Sequence, residues 1–398
     1  MQIYDYKVVK INADVVDGKV VLGASGPLAL AAKPMLNKIN AVFQEEKPIS
    51  VTDDKIIFST WIPEIPGPVF NRMIHAQIGS SLLNKRIPDQ ISVGVTPRCP
   101  NKCLHCGAAD MMAPNNEMTV EEINGVINQS LDMGSYLVTI DGGEPMVRND
   151  LPEIVSNIDK TKTTVSMFTT GFRLNDERAK ALKEAGLYSV KVSFDSSDPE
   201  IHDKFRGRKG AFEDAVDAVR AANKAGIMTD LYLTISPYNI DNIDDLYQMA
   251  IDLNMQEMSM TGIIAVGNWK DHEDEVLTRA DAKRLEAFHK NKNSVPEGPR
   301  VTALPYLMGP DMFGCFAGNR WMHIGSTGDV LPCPYTPLSF GNIRDAPLSD
   351  IWQSINKHPA YKKQSKVCLM RDPEFREKYI HSIPKEEQLP YYVGPKKK

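Results

Sequence analysis

The chain has no long apolar run. No stretch of its 398 residues approaches the roughly 20 consecutive apolar positions that a membrane-spanning helix requires. The first residues, Met1-Gln2-Ile3-Tyr4-Asp5-Tyr6, lack the basic-then-apolar order of a secretory signal. An excess of one charge is also missing. The 46 basic and 51 acidic residues leave a net charge of −5, which gives no general attraction for nucleic acid. Cysteines are few, and these absences together predict a cytoplasmic protein, where thiols stay reduced. Its six cysteines are therefore expected as metal ligands, catalytic groups or small buried residues rather than as disulfides. What is present is ordinary globular composition, 42% hydrophobic and 24% charged. The length suffices for one large α/β domain and one or two smaller ones.

Residues 1–88 read as an N-terminal accessory α+β domain. Two β-rich stretches, Val8–Val21 and Ile49–Ser59, have turn signals at Asp17-Gly18 and Asp53-Asp54. Between them Met35, Leu36, Ile39, Val42 and Phe43 recur at helical spacing, a stripe expected to pack on a core. Pro63, Pro66 and Pro68 impose an extended connector before a second helix to about Leu83. From residue 89 to 295 the rhythm changes. Six short β-branched runs, beginning at Ile91–Val95 and ending at Glu257–Ile264, alternate with helical patterns near 119–133, 150–159, 175–185, 211–225, 241–253 and 278–292. Thr119 with Glu122 forms a capping box, and Gly134, Gly186 and Gly226 stand where helices should stop. Such β-then-α units predict a parallel sheet, either open and doubly wound or curved into a partial barrel. In both, the chemistry sits at the carboxyl ends of the strands. Residues 296–375 lose the alternation and concentrate Pro, Gly and Cys between Pro305 and Phe340, as a small loop-rich domain would. Such a thin core commonly needs a metal. Residues 376–398 are expected as a tail with a solvated end, Pro395-Lys396-Lys397-Lys398.

Cys99-Pro-Asn-Lys-Cys103-Leu-His-Cys106 follows directly on the first of the six strands. These spacings let one irregular loop turn three thiolates towards a common point, and Pro97 and Pro100 keep that loop from becoming helical. A structural zinc would want a fourth ligand. No fourth cysteine is near, and His105 adjoins Cys106 too closely to turn to the same ion. Three thiolates on a four-iron cubane leave one iron open to a substrate or cofactor.

Cys-x3-Cys-x2-Cys after the first strand resembles the signature of the radical SAM enzymes, with His105 in the position usually held by an aromatic. The later strand ends carry the resemblance further. Gly142-Gly143-Glu144-Pro145 is similar to the family's GGEP edge, which receives the amino group of the methionine part of SAM. Thr169-Thr170-Gly171 stands where the family borders the SAM ribose. Ser193-Phe194-Asp195 and His202-Asp203-x2-Arg206 resemble segments that place a polar group near that ribose and an arginine on the SAM carboxylate. Arginine suits that role because its planar fork pairs a carboxylate bidentately. The resemblance implies a partial (β/α)6 barrel, with Cys99, Cys103 and Cys106 holding a 4Fe–4S cluster and Gly142, Gly143, Glu144, Thr170, Ser193, Asp195 and Arg206 binding SAM.

Cys315, followed by Gly328-x4-Cys333 and by Phe340-Gly-Asn-Ile and Trp352, resembles the SPASM or shorter twitch extension of that family, which binds auxiliary iron–sulfur clusters. The later SPASM cysteines are missing except Cys368, so the expectation is one auxiliary cluster on Cys315, Cys333 and Cys368. About 35 residues of irregular chain separate Cys368 from Cys333, so its approach to the other two depends on how that stretch folds. The resemblance implies that the reduced cluster gives one electron to SAM, and that the resulting 5′-deoxyadenosyl radical abstracts hydrogen from a substrate. A flavodoxin or ferredoxin is the expected donor. A ribosomal peptide or protein side chain is the leading substrate class. Tetrapyrrole side-chain decarboxylation and lipid chemistry are the alternatives, with membrane contact through Met35–Phe43 in the lipid case. A two-cluster electron carrier or redox sensor is the non-enzyme alternative, though it would have little use for Arg206 or the glycine edge. The residues that select the substrate are not legible.

Overall fold

A computed structural model describes residues 2–6, 8–16, 19–83, 86–111 and 116–394. The turn at Asp17-Gly18 and the end at 395–398 lie outside them.

The N-terminal unit is an antiparallel meander of β1 (Gln2–Tyr6), β2 (Val9–Val16) and β3 (Lys19–Ser25), covered by helix α1 (Ala29–Gln44). A two-residue ladder of β4 (Ser50–Val51) and β5 (Ile56–Ile57) follows, then α2 (Pro68–Leu83). Pro68 opens α2 rather than extending the connector, as suits a residue with no N–H to lose in a first turn. Val20, Leu22, Leu36, Ile56, Phe58 and Ile65 form this unit's own core, and Phe43 stacks on Phe58 at 4.3 Å. The α1 stripe is thus packed at Leu36 and Phe43. The side chains of Met35, Ile39 and Val42 lie outside those described.

The main sheet starts with β6 (Gln90–Gly94) and proceeds through α3 (Val120–Met133), β7 (Leu137–Asp141), α4 (Leu151–Ser156), β8 (Thr164–Thr169), α5 (Asp176–Glu184) and β9 (Ser189–Ser193). It continues with α6 (Pro199–Arg206), α7 (Ala211–Ala225), β10 (Met228–Ile235), α8 (Ile243–Asp252), β11 (Glu257–Gly262), α9 (Arg279–Ser294) and β12 (Arg300–Ala303). The Thr119–Glu122 capping box forms as expected. Strands β6 to β12 are parallel and in sequence order, one more than the six expected. Arg300–Ala303 is short, and its arginine points into the barrel, so it does not read as a strand.

After the short helix α10 (Leu304–Leu307), the chain crosses to the other edge. There β13 (Trp321–Ile324) pairs parallel with β6, and β14 (Val330–Leu331) pairs antiparallel with β13. The rest comprises β15 (Leu338–Ser339), α11 (Leu348–Lys357), α12 (Pro373–Tyr379) and β16 (Tyr391–Tyr392). Residues 376–394 are not a free tail, because Tyr391-Tyr392 pairs with Leu338-Ser339. The apolar core of the barrel runs on into the extension, through Met322, Ile324, Phe340, Ile351 and Trp352. Among the described residues no helix is long and apolar enough to cross a membrane.

Both faces of the barrel strands are buried, but only the outer one is apolar. Val93, Ile140, Val165, Val190 and Leu231 pack under the helices. The inner positions carry Ser92, Thr139, Ser166, Lys191, Asp230, Glu257 and Ser259, all buried. Polar groups in such a lumen need partners, and at its N-terminal end the accessory unit supplies them. Ser59 Oγ donates to Glu257 at 2.8 Å, Thr60 N to Glu257 at 2.6 Å, and the Trp61 indole N–H to Ser259 at 2.8 Å. Lys191 Nζ sits 3.0 Å from Asp230 and 3.7 Å above the Trp61 ring. Burial holds the Asp230 carboxyl above the usual carboxylate range, with Lys191 pulling it back. Replacing Lys191 with Met leaves the buried Asp230 carboxyl without its cation. We expect a loss of about 3 kcal/mol, measured as a lower denaturant midpoint. A midpoint within about 0.5 kcal/mol of the parent would show that the pair contributes little.

Candidate active site

Three elements clamp the cysteine loop, so that its shape is set by the fold. On one side Gly143 N donates to Thr96 O at 2.7 Å, and Glu144 N donates to Arg98 O at 2.9 Å. The approach is possible only without side chains. A Cβ on Gly142, which adopts φ +129°, would stand 2.4 Å from Thr96 O, and one on Gly143 would stand 2.3 Å from Arg98 O. On a second side Lys102 N and Leu104 N donate to Arg206 O and Phe205 O at the end of α6, both at 2.9 Å. On the third, Asn268 N donates to Cys106 O at 3.1 Å, and its side chain donates to Cys103 O at 2.8 Å.

Cys99, Cys103 and Cys106 line one cavity of about 650 Å³ at the carboxyl ends of the strands, together with Gly142, Gly143, Thr170, Ser193 and Arg206. Burial raises all three thiols, Cys99 to about 12. Sulfurs placed this way are poor free thiolates, and a metal that displaces their protons suits them. Among the described residues no three His, Cys, Asp or Glu side chains converge as ligands of a single ion. His105 turns its Nε2 to Asp195 Oδ1, at 3.4 Å, rather than to an ion shared with the cysteines. The donor set therefore fits a cluster whose irons each take one thiolate.

Two of the residues expected at SAM stand behind the cavity wall. Glu144 is fully buried, and its carboxylate accepts from Met146 N, Thr169 Oγ1, Thr170 N and Thr170 Oγ1, at 2.6–3.0 Å. Those four contacts use its acceptor capacity and tie the glycine edge to the Thr169–Thr170 turn. Asp195 pairs with Arg206 Nε at 2.7 Å, and Arg206 NH1 lies 3.9 Å from Cys103 Sγ. Burial opposes the charge on Asp195, but Arg206, His105 and His202 together outweigh it and hold the carboxyl below its usual range. Arg206 thus faces the cavity already oriented, with Asp195 as its counter-ion.

The second set of cysteines also comes together. Cys315 and Cys368 hydrogen-bond through their sulfurs, the charge on Cys315 acts on Cys333, and the charge on Cys333 acts on Cys368. Cys333 Sγ lies 3.1 Å from Thr336 Oγ1. The irregular stretch before Cys368 folds back because α11 buries Leu348, Ile351, Trp352 and Ile355, and Gln129 of α3 accepts from Leu348 N at 2.9 Å. All six cysteines are free. No motif or spacing pointed to Tyr335, two residues past Cys333. Its ring occupies the space left by Gly107, beside Cys106, and its hydroxyl hydrogen-bonds to Tyr232 of β10. It reaches from the second cysteine set into the cavity. Asp141 and His323 also line that cavity, and only their inward register on β7 and β13 could have marked them.

This combination, a three-cysteine loop at the mouth of a parallel partial barrel with a second cysteine group packed on it, defines a class. Residues 93–250 match the Radical SAM superfamily, and residues 315–378 match SPASM, an iron–sulfur cluster-binding domain. The chain is a radical SAM enzyme with a SPASM-type C-terminal extension, so its cofactors are SAM and a 4Fe–4S cluster, with auxiliary iron–sulfur binding in the extension. It is 28% identical over 309 residues to the AdoMet-dependent heme synthase of Methanosarcina barkeri, covering 72% of this chain and 86% of that one. With the AdoMet-dependent heme synthase of Nitratidesulfovibrio vulgaris it shares 26% identity, over 68% and 80% of the two chains. The fold resembles Streptococcus suis SuiB bound to S-adenosylmethionine, with TM-score 0.59 and 18% identity over 72% of this chain and 70% of that one. SuiB bound to its precursor peptide SuiA superposes at TM-score 0.58 and 16% identity, over 88% of each chain.

Proposed function

We propose that this enzyme removes a hydrogen atom from a small molecule bearing carboxyl side chains, a tetrapyrrole in the first instance. The observation that carries the reading is the position of the accessory unit. Ser59, Thr60 and Trp61 close the barrel at the N-terminal ends of β9 to β11, away from the cavity, where a peptide-reading domain would be poorly placed to feed the site. The names of the M. barkeri and N. vulgaris relatives support a tetrapyrrole. Leu36 and Phe43, two of the five stripe residues, pack in the accessory unit's core and are not offered to a lipid.

Cys99, Cys103 and Cys106 would hold the SAM cluster, and Cys315, Cys333 and Cys368 an auxiliary one. The chemistry that a bound cluster and SAM supply is one-electron cleavage of the sulfonium. The chain's own part is to orient and exclude water. Arg206, steadied by Asp195, offers its guanidinium to the SAM carboxylate, and Thr170 and Ser193 border the ribose. A flavodoxin or ferredoxin would provide the electron. A peptide substrate is the second reading, favoured by the SuiB–SuiA likeness across 88% of the chain.

The test is anaerobic incubation of reconstituted protein with dithionite, SAM and a propionate-bearing porphyrin, with and without iron. We expect 5′-deoxyadenosine and loss of carbon dioxide from the porphyrin. Deoxyadenosine with an unchanged porphyrin would move the assignment to the peptide reading. No deoxyadenosine from iron-replete protein would overturn the placement of the SAM site.

A further inference from the structure

One side-chain pair on the cavity wall takes no part in the SAM site. Asp141 ends β7, just before Gly142, and His323 lies on β13. Ser92 of β6 stands between them, in register with Thr139 on one side and His323 on the other. His323 Nδ1 is 2.8 Å from Ser92 Oγ and 3.7 Å from Asp141 Oδ2, and the Trp321 indole N–H donates to the same hydroxyl at 3.2 Å. Asp141 and His323 both line the cavity that holds Cys99, Cys103 and Cys106. Yet Asp141 Oδ1 is buried with no hydrogen-bond partner among the described residues. Asp141 has no lysine or arginine ion-pair partner among the described residues; the groups that face it are Ser92, His323 and the Tyr335 phenol. Burial pushes the Asp141 carboxyl up to about 7, with the Ser92 hydrogen bond pulling it back, and lowers His323 to about 4.

A buried carboxyl with unused hydrogen-bonding capacity on a ligand cavity is costly unless a ligand completes it. Lys102 lines the same cavity and is assigned to no SAM group, which gives an acidic ligand a cation to face. A second carboxyl group meets both conditions, because two acids at hydrogen-bond distance share one proton rather than both ionise. We propose that Asp141 binds a carboxyl group of the substrate, the two acids sharing one proton, with Ser92 and His323 holding the Asp141 carboxyl in position. The proposal deepens the carboxyl-side-chain reading above and rests on it.

The experiment is an anaerobic absorbance titration of the SAM-loaded full chain with coproporphyrin III and with its tetramethyl ester. The free acid should bind roughly tenfold tighter than the ester. Asp141→Leu should abolish that preference, and His323→Leu should reduce it, with ester affinity unchanged in both and iron content confirming the fold. Equal affinity for acid and ester in the parent, or a preference that survives Asp141→Leu, overturns the proposal. Should Asp141→Leu lose its iron, Asp141→Ala is judged by the same two outcomes. If the parent binds neither porphyrin, the tetrapyrrole reading fails. Saturation-transfer NMR with hexanoate and hexanamide then decides the carboxyl site by itself. A hexanoate signal that depends on Asp141 supports the site, and equal signals from acid and amide sink it.

Discussion

Replacing Cys99, Cys103 and Cys106 together with alanine should remove about four irons per chain and abolish formation of 5′-deoxyadenosine. The three sulfurs come from one loop on one cavity, so no other group described there could take their place. Apart from Arg206 NH1 at 3.9 Å from Cys103 Sγ, the loop's clamps are backbone or Asn268 contacts. The triple variant should therefore fold with a near-parental unfolding midpoint, separating loss of cluster from loss of structure. Iron remaining on it would report the Cys315, Cys333 and Cys368 group. If deoxyadenosine persisted at parental rates, the SAM cluster would have to lie elsewhere.

Gly143→Ala should be nearly as damaging although it removes no ligand. Its new methyl group would stand 2.3 Å from Arg98 O and 2.7 Å from Pro97 O, backbone atoms that cannot rotate away. The strand end and the cysteine loop must then separate. Overpacking of this kind costs about 3 kcal/mol, and a displacement of about an ångström at a reacting centre lowers the rate about hundredfold. Iron content, deoxyadenosine rate and unfolding midpoint should fall together. Gly125→Ala is the matched control. It lies inside α3, where a Cβ meets nothing within 4 Å, and should stabilise the chain by about 0.5–1 kcal/mol. An active, iron-replete Gly143→Ala protein would mean that the loop is not held against the glycine edge.

What could be read from the sequence was what is local. Cys99, Cys103 and Cys106 fall within eight residues, and their geometry needs no distant partner. The capping of α3 and the β-branched runs of β6 to β11 are equally short-range signals. The strand at Trp321–Ile324 was not legible, because its partner β6 lies some 230 residues earlier and only one of its four residues, Ile324, is β-branched. Nothing in the sequence marks Lys191, Asp230 and Glu257 as buried, and the docking of Ser59–Trp61 explains their burial. Cys368 was doubtful by spacing, until α11 folded the intervening chain back. Glu144 and Asp195 stand behind the cavity wall, where Glu144 accepts from Thr170 and Asp195 pairs with Arg206.

The pairing of β13 with β6 also has a consequence for how the enzyme is made. Until Trp321–Ile324 has left the ribosome, β6 is a bare edge next to the cysteine loop, and the wall carrying His323 does not exist. The barrel strands can assemble in order as they emerge, but the chamber stays open on that side through most of synthesis. Iron and sulfide delivered during this interval reach the loop without having to unfold anything. Once the late strand zips onto the early one, the metal centre is enclosed by a strand translated some 230 residues after its partner.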